Sequence, residues 1–176
     1  MEFQNNDWFV VSSGVAPIYE SASFDSNYLT EAVYGDYCKI LKVKKSWFFV
    51  KCDDNYQGWI KNFYGFRSEI KKNPSYIIAY PEDEGLFNPQ YPFGAKLNKK
   101  RIGAIPICKR LDFNKINIVL HNLLNIPYKW GGKTSLGFDC SGLVQSVLNV
   151  YGIKIPRDSK DQWKLLEPFK ININKA

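Results

Sequence analysis

The hydrophobic period of this chain changes once, near residue 113, and that switch limits what the chain can fold into. Upstream, apolar residues come in short alternating runs. Downstream they recur every three or four positions. Over 114–125, Ile116, Val119, Leu120, Leu123 and Leu124 fall on one helical face, and Pro127 marks the end. A second helix is expected over 139–151 from Leu143, Val144, Val147, Leu148 and Tyr151, with Gly152 where a helix-terminating glycine belongs. Pro156-Arg157-Asp158-Ser159 opens a third short helix running through Trp163 and Leu166. Strands first and helices last indicate an α+β fold.

The upstream runs are those of a small β-barrel or sandwich. Val10-Val11-Ser12-Ser13 and Val15–Tyr19 read as strand and loop, and the strands Tyr28–Val33, 37–43, 47–52 and one from Gln57 to Ile60 are broken by Tyr34-Gly35-Asp36 and Asp53-Asp54-Asn55. Residues 7–70 form this first unit. Residues 71–112 hold most of the prolines, with possible strands over 75–80, 91–97 and 101–108, and read as a second, reduced barrel or an ordered linker. Residues 113–176 are the helical unit.

The chain of 176 residues is 45% hydrophobic and 23% charged, the composition of a globular protein rather than a disordered one. No run of about 20 apolar residues is present, so no membrane-spanning helix is expected. The first residues lack the basic and apolar regions of a secretory signal, which points to the cytoplasm unless a leader has been removed. The net charge of +7 comes from short lysine clusters without a nucleic-acid motif, so a solvated surface is expected rather than a nucleic-acid partner. The four cysteines form no CxxC pair and His121 has no ligand-spaced neighbour, so no metal site is expected. Cys38 and Cys52 sit in apolar runs and read as small buried hydrophobes.

Cys140 differs from the other cysteines. Asp139 is an N-cap type residue, which places Cys140 in the first turn of a helix. Unpaired N–H groups and the helix dipole favour a thiolate there and can hold an oxyanion. Ser141 and Gly142 are small and leave the sulfur approachable. The local residues alone fit either a nucleophile or a capped helix with a buried cysteine.

Three strings weigh on that choice: Ile126-Pro127-Tyr128-Lys129-Trp130-Gly131-Gly132, Phe138-Asp139-Cys140-Ser141-Gly142-Leu143-Val144, and Pro156-Arg157-Asp158-Ser159-Lys160-Asp161-Gln162. Their order and spacing resemble the NlpC-type family of papain-like cysteine peptidases, which cut peptidoglycan peptides. The first unit, with Leu29 to Asp36, Trp47-Phe48-Phe49-Val50 and Tyr56-Gln57-Gly58-Trp59-Ile60, resembles a bacterial SH3 domain. Together they resemble the γ-D-glutamyl-L-diamino-acid endopeptidases. The resemblance implies SH3-like barrel or barrels followed by the helical N-terminal half of a papain-like domain. It implies hydrolysis of peptidoglycan-derived peptides carrying a free N-terminal L-alanine, in cell-wall turnover or recycling, by an acyl-enzyme route with no metal or cofactor and no membrane partner.

The resemblance also implies residue roles. Cys140 matches the nucleophile. Tyr128 matches a tyrosine bonding near the catalytic sulfur, or else walls the turn before the glycines. Asp139 matches an acid that binds the substrate amine, alongside its capping role. Ser141 supplies an N–H and a hydroxyl beside the nucleophile. Ser159 matches a substrate-contacting serine or caps its helix. Trp130 is a substrate-side or a packing aromatic. Glu31 and Tyr56 are the candidates for closing the pocket over the free amine, against readings as an exposed strand acid and a surface tyrosine.

One departure stands out. The family carries its histidine base well beyond the nucleophile, and here no histidine follows Cys140. His121 precedes it and does not correspond to that base. The expected consequences are a chain inactive by itself and a helix face of Leu143, Val144, Val147 and Leu148 left partly uncovered. The chain is then a fragment, the product of an interrupted gene, or half of an assembly with a separate chain. A catalytically dead remnant whose SH3 domains bind wall peptides is the alternative function.

Overall fold

The computed structural model describes residues 7–80, 82, 83, 86–107 and 113–169. Strands β1 (Trp8–Val11), β2 (Val15–Tyr19), β3 (Tyr28–Val33), β4 (Tyr37–Lys44), β5 (Trp47–Lys51), β6 (Gln57–Lys61) and β7 (Gly65–Ser68) form one antiparallel sheet in the order β3-β2-β6-β5-β4-β1-β7. Alternation builds its core. Ala16 and Ile18 of β2, Cys38 and Ile40 of β4, Phe48 and Val50 of β5 and Ile60 of β6 point inward onto Phe9, Val11 and Ala32. The sequence expects 37–43 to alternate throughout. Instead a register shift between Ile40 and Lys42 inserts an extra residue, and Val43 beyond it is exposed.

The described residues of the middle segment form short ladders. Strand β8 (Tyr76–Ile78) pairs on one side with β11 (Lys96–Leu97) and on the other with β12 (Ala104–Pro106), while β9 (Glu82–Asp83) and β10 (Leu86–Phe87) form a separate ribbon. These ladders are shorter than the expected strands over 75–80, 91–97 and 101–108, and Cys108 lies outside the described residues. Successive residues of β8 face opposite ways. Ile78 joins Ala95, Leu97, Ala104 and Val33 of the first sheet. Ile77 joins Ala79, Phe93 and the helical core. The small sheet is thus the layer between the first sheet and the helices, stitched to the former by Lys96 N–H on the Tyr34 carbonyl at 2.8 Å.

Helix α1 (Phe113–His121) is one turn shorter than the sequence expects. Its extension fails at Asn125, whose φ of 65° takes the left-handed conformation ahead of Pro127. Strands β13 (Lys133–Thr134) and β14 (Gly137–Phe138) form a tight hairpin, followed by α2 (Cys140–Val150) and α3 (Ser159–Leu166). The end of α2 is a two-bond glycine stop: Ile153 N–H donates to Leu148 O and Gly152 N–H to Asn149 O, with Gly152 at φ 73°. The N-cap of α3 is Asp158, so Ser159 is its first helical residue and not its cap. No helix among the described residues is long and apolar enough to cross a membrane.

The face of α2 departs from expectation at one residue. Val144 is exposed and Leu143 and Leu148 are half-buried, but Val147 is buried because the middle sheet reaches it. Phe93 is the centre of that contact. It is fully buried and meets Phe138 edge to face at 5.9 Å between ring centres. Phe93→Ala should cost about 3–5 kcal/mol in urea unfolding, whereas Val144→Ala should stay within about 1 kcal/mol. Equal losses would mean that the helices do not pack on the middle sheet.

Candidate active site

The start of α2 is held by charge. Asp139 caps it, with Oδ1 accepting from Gly142 N–H at 2.6 Å and Oδ2 from Gly131 N–H at 3.0 Å. Arg157 donates to both oxygens, Nη1 to Oδ1 at 3.0 Å and Nη2 to Oδ2 at 2.6 Å. Nη1 also meets Ser141 Oγ at 2.9 Å, and Nε donates to Thr30 Oγ1 of β3 at 2.7 Å. Arg157 is 3% exposed, so the pair replaces hydration with fork geometry. Burial alone would raise the Asp139 carboxyl, but Arg157 and the two backbone donors hold it below the usual carboxylate range. The capping role of Asp139 is therefore the observed one, and both its oxygens are taken by protein donors.

Cys140 follows as the exposed first residue of α2. The close fit around it explains the glycines. A Cβ on Gly142 would lie 2.1 Å from the Gly132 carbonyl oxygen, and Gly131 has φ 73° with the Tyr28 ring against it. Gln162 of α3 donates to the Ser141 carbonyl at 2.9 Å, so α3 fixes the same turn.

The segment before the glycines runs beside β14, with Lys129 N–H on Phe138 O at 3.0 Å and an isolated bridge between Tyr128 and Phe138. Side chains alternate along it. Tyr128 and Trp130 point outward, 68% and 71% exposed, while Lys129 turns in towards β3. Ser159 is exposed at the head of α3.

Glu31 is not an exposed strand acid. It is 1% exposed and faces the helical unit. Its carboxylate accepts the Tyr28 hydroxyl at 2.6 Å and Lys133 N–H at 2.9 Å, and pairs with the Lys129 ammonium. Burial and the adjacent carboxylate push the Tyr28 phenol well above its ordinary range. The tyrosine bonded to Glu31 is thus Tyr28. Tyr56 is half-buried and its side chain bonds to Asp158, with burial and then that carboxylate raising its phenol.

The sequence reading missed Arg157, Thr30, Tyr28, Lys129, Lys133 and Gln162 as parts of this arrangement. Arg157, Lys129 and Gln162 lie inside the quoted motifs, and a lone arginine next to a proline was the available signal. Among the described residues, no three His, Cys, Asp or Glu side chains converge on a possible metal position.

The depressed Asp139 carboxyl links stability to pH. Its contribution is complete above the ordinary aspartate value of about 3.9 and is lost as pH falls through its lower folded value. Asp139→Asn should cost about 3–5 kcal/mol at pH 7, because Arg157 stays buried without its counter-charge, and should flatten the acid limb of the urea-midpoint profile. An unchanged acid limb would remove Asp139 from that linkage.

Residues 125–175 match the NlpC/P60 family model, and residues 18–62 match that of the bacterial dipeptidyl-peptidase SH3 domain. The gamma-D-glutamyl-L-lysine dipeptidyl-peptidase of Bacillus subtilis (strain 168) is 32% identical over 94 residues, 51% of this chain and 31% of that protein. The protein of the same strain named "Probable peptidoglycan endopeptidase LytE" is 63% identical over 39 residues, 22% of this chain and 12% of that protein. This chain covers less than a third of the length of either relative. The solved structure of an NlpC/P60 endopeptidase from Photobacterium damselae subsp. piscicida has a TM-score of 0.66, covering 90% of this chain and 46% of that one at 16% identity, which speaks for the fold. The segment around Cys140 and Arg157 is thus similar to the NlpC/P60 family, and the sheet that carries Thr30 and Glu31 is similar to the bacterial dipeptidyl-peptidase SH3 domain.

Proposed function

We propose that this chain carries the nucleophile and part of the substrate cleft of a thiol endopeptidase that cuts γ-D-glutamyl-L-diamino-acid bonds in peptidoglycan peptides. The observation that carries the reading is an exposed Cys140 at the head of a helix whose first turn is locked by the Asp139–Arg157 pair. Nucleophilic attack needs a fixed sulfur and a fixed oxyanion site. Gly142 N–H is held by Asp139 Oδ1 and Leu143 N–H by Asp139 O. The oxyanion then falls to the Cys140 and Ser141 N–H groups. The thiolate adds to the γ-glutamyl carbonyl, the diamino acid leaves as the amine, and water releases the acyl group from sulfur.

In this reading Tyr128 and Trp130 wall the cleft on one side of Cys140 and Ser159 borders it on the other. Glu31 takes the free substrate amine, which replaces the Lys129 ammonium on the same carboxylate. Tyr56 lines that end through its contact with Asp158. Asp139 positions the turn and leaves the amine to Glu31. The γ-glutamyl and peptidoglycan chemistry is supported by the names of the two relatives. The one histidine of the sequence, His121, is the exposed last residue of α1, upstream of the nucleophile.

The 176-residue chain by itself should hydrolyse L-Ala-γ-D-Glu-diaminopimelate negligibly, for want of a base of the family type. A γ-D-glutamyl electrophile should nevertheless label Cys140 and leave Cys140→Ala unmodified, and L-Ala-D-Glu should protect against labelling. Glu31→Gln should weaken that protection about tenfold. Labelling that ignores the dipeptide would favour a remnant without a working cleft. Turnover that persists in Cys140→Ala would overturn the nucleophile.

A further inference from the structure

Cys38 and Cys52 face each other one step beyond the Lys39↔Lys51 pair of β4 and β5. Their sulfurs are 3.7 Å apart. The backbone bonds define the kind of pair. Ile40 N–H donates to Asp7 O, and Val11 N–H donates to Asp36 O, so every second residue of β4 bonds towards β1, and Cys38 lies between those two. Cys52 N–H donates to Tyr56 O, and Cys52 O accepts from Asn55 N–H, so Cys52 bonds away from β4. Cys38 and Cys52 are therefore a non-hydrogen-bonded cross-strand pair. Such pairs have Cα atoms about 4.5 Å apart and the closest side chains of an antiparallel ladder, at the near end of the disulfide range.

The two thiols have different surroundings. Cys38 is fully buried in the sheet core. Cys52 is half-buried and lines a small cleft of about 50 Å³ between the first sheet and α2, with Lys96, Lys133 and Gln145 in its walls. A small oxidant therefore reaches Cys52 first. Cys52 also begins the turn whose next two residues grip the rest of the molecule. Asp53 pairs with Lys71 and Lys154, and Asp54 with Lys133 and Gln145.

We propose that Cys38 and Cys52 are a dithiol modification site, which a hydroperoxide converts to an intramolecular disulfide that ties the start of the Asp53-Asp54 turn to β4. The Cys52 thiolate attacks one peroxide oxygen, the O–O bond breaks, and the released alkoxide or hydroxide takes a proton. Cys52 becomes the sulfenic acid. The Cys38 sulfur then attacks the Cys52 sulfur, the S–S bond forms and the S–O bond breaks. The departing hydroxide leaves as water with the Cys38 proton. Two thiols lose two electrons and the peroxide gains them. The hydrogen bond to Cys52 and burial push the Cys38 thiol well up, which assigns it the part of resolving thiol rather than attacking thiolate.

The test uses the full chain bearing Cys140→Ala, so that the exposed thiol does not consume peroxide. The reduced protein is treated with hydrogen peroxide, denatured, alkylated and digested for mass spectrometry. The expected product is a Cys38–Cys52 linked peptide that dithiothreitol reverses, accompanied by a rise in Tm of roughly 5 °C. In Cys52→Ser on the same background, Cys38 should remain alkylatable. Full alkylation of both cysteines, at peroxide levels that oxidise Cys140 in the otherwise unaltered chain, would overturn the proposal. Equal crosslinking of Cys52 to Cys108 would do so as well.

Discussion

The buried bidentate pair between Asp139 and Arg157 is the interaction on which the rest of this structure depends. A guanidinium taken out of water is costly unless every face of it is answered. Here the carboxylate answers two of its nitrogens and Thr30 a third. Each partner comes from a different part of the chain: the loop before α2, the segment before α3, and strand β3. One ion pair therefore fixes three elements at the point where Cys140 stands.

The same strand supplies the second anchor. From Thr30 to Val33 every residue of β3 is buried, on both faces, which is unlike the alternating strand β2 beside it. Thr30 holds Arg157 and Glu31 holds Lys129 and the Lys133 amide, while Val33 packs on the middle sheet. Three residues of one strand thus touch the α3 lead-in, the glycine loop and the intervening layer. The SH3 sheet acts as a wall of the candidate active site and not as a tethered accessory.

The sequence showed the order of elements well and their joints poorly. Helical spacing located α1 and α2, and Asp139 announced the head of α2, because local chemistry dictates both. Motif order singled out Cys140, Tyr128 and Trp130, and the structure places all three at the surface. Glu31 and Tyr56 were legible as residues, but their partners were not. Tyr28 on Glu31 and Asp158 on Tyr56 depend on how two units dock, and no periodicity within either unit encodes that. The bulge after Ile40 and the early stop of α1 at Asn125 were missed for a related reason. Each is a single-residue departure that a repeating pattern averages away.

The position of β3 has a further consequence. It is an edge strand of the seven-stranded sheet, the place where one molecule's backbone can recruit another's. The helical unit occupies that approach: Gly131 lies against Tyr28 and the Leu29 carbonyl, and the Lys133 amide is bonded to Glu31. The segment that packs beside the head of α2 is also the guard of the sheet's open border. An SH3 sheet separated from the helical unit would present that border, together with a buried carboxylate stripped of its counter-ion, to every other copy in solution. Self-association of the liberated sheet is what such a separation entails.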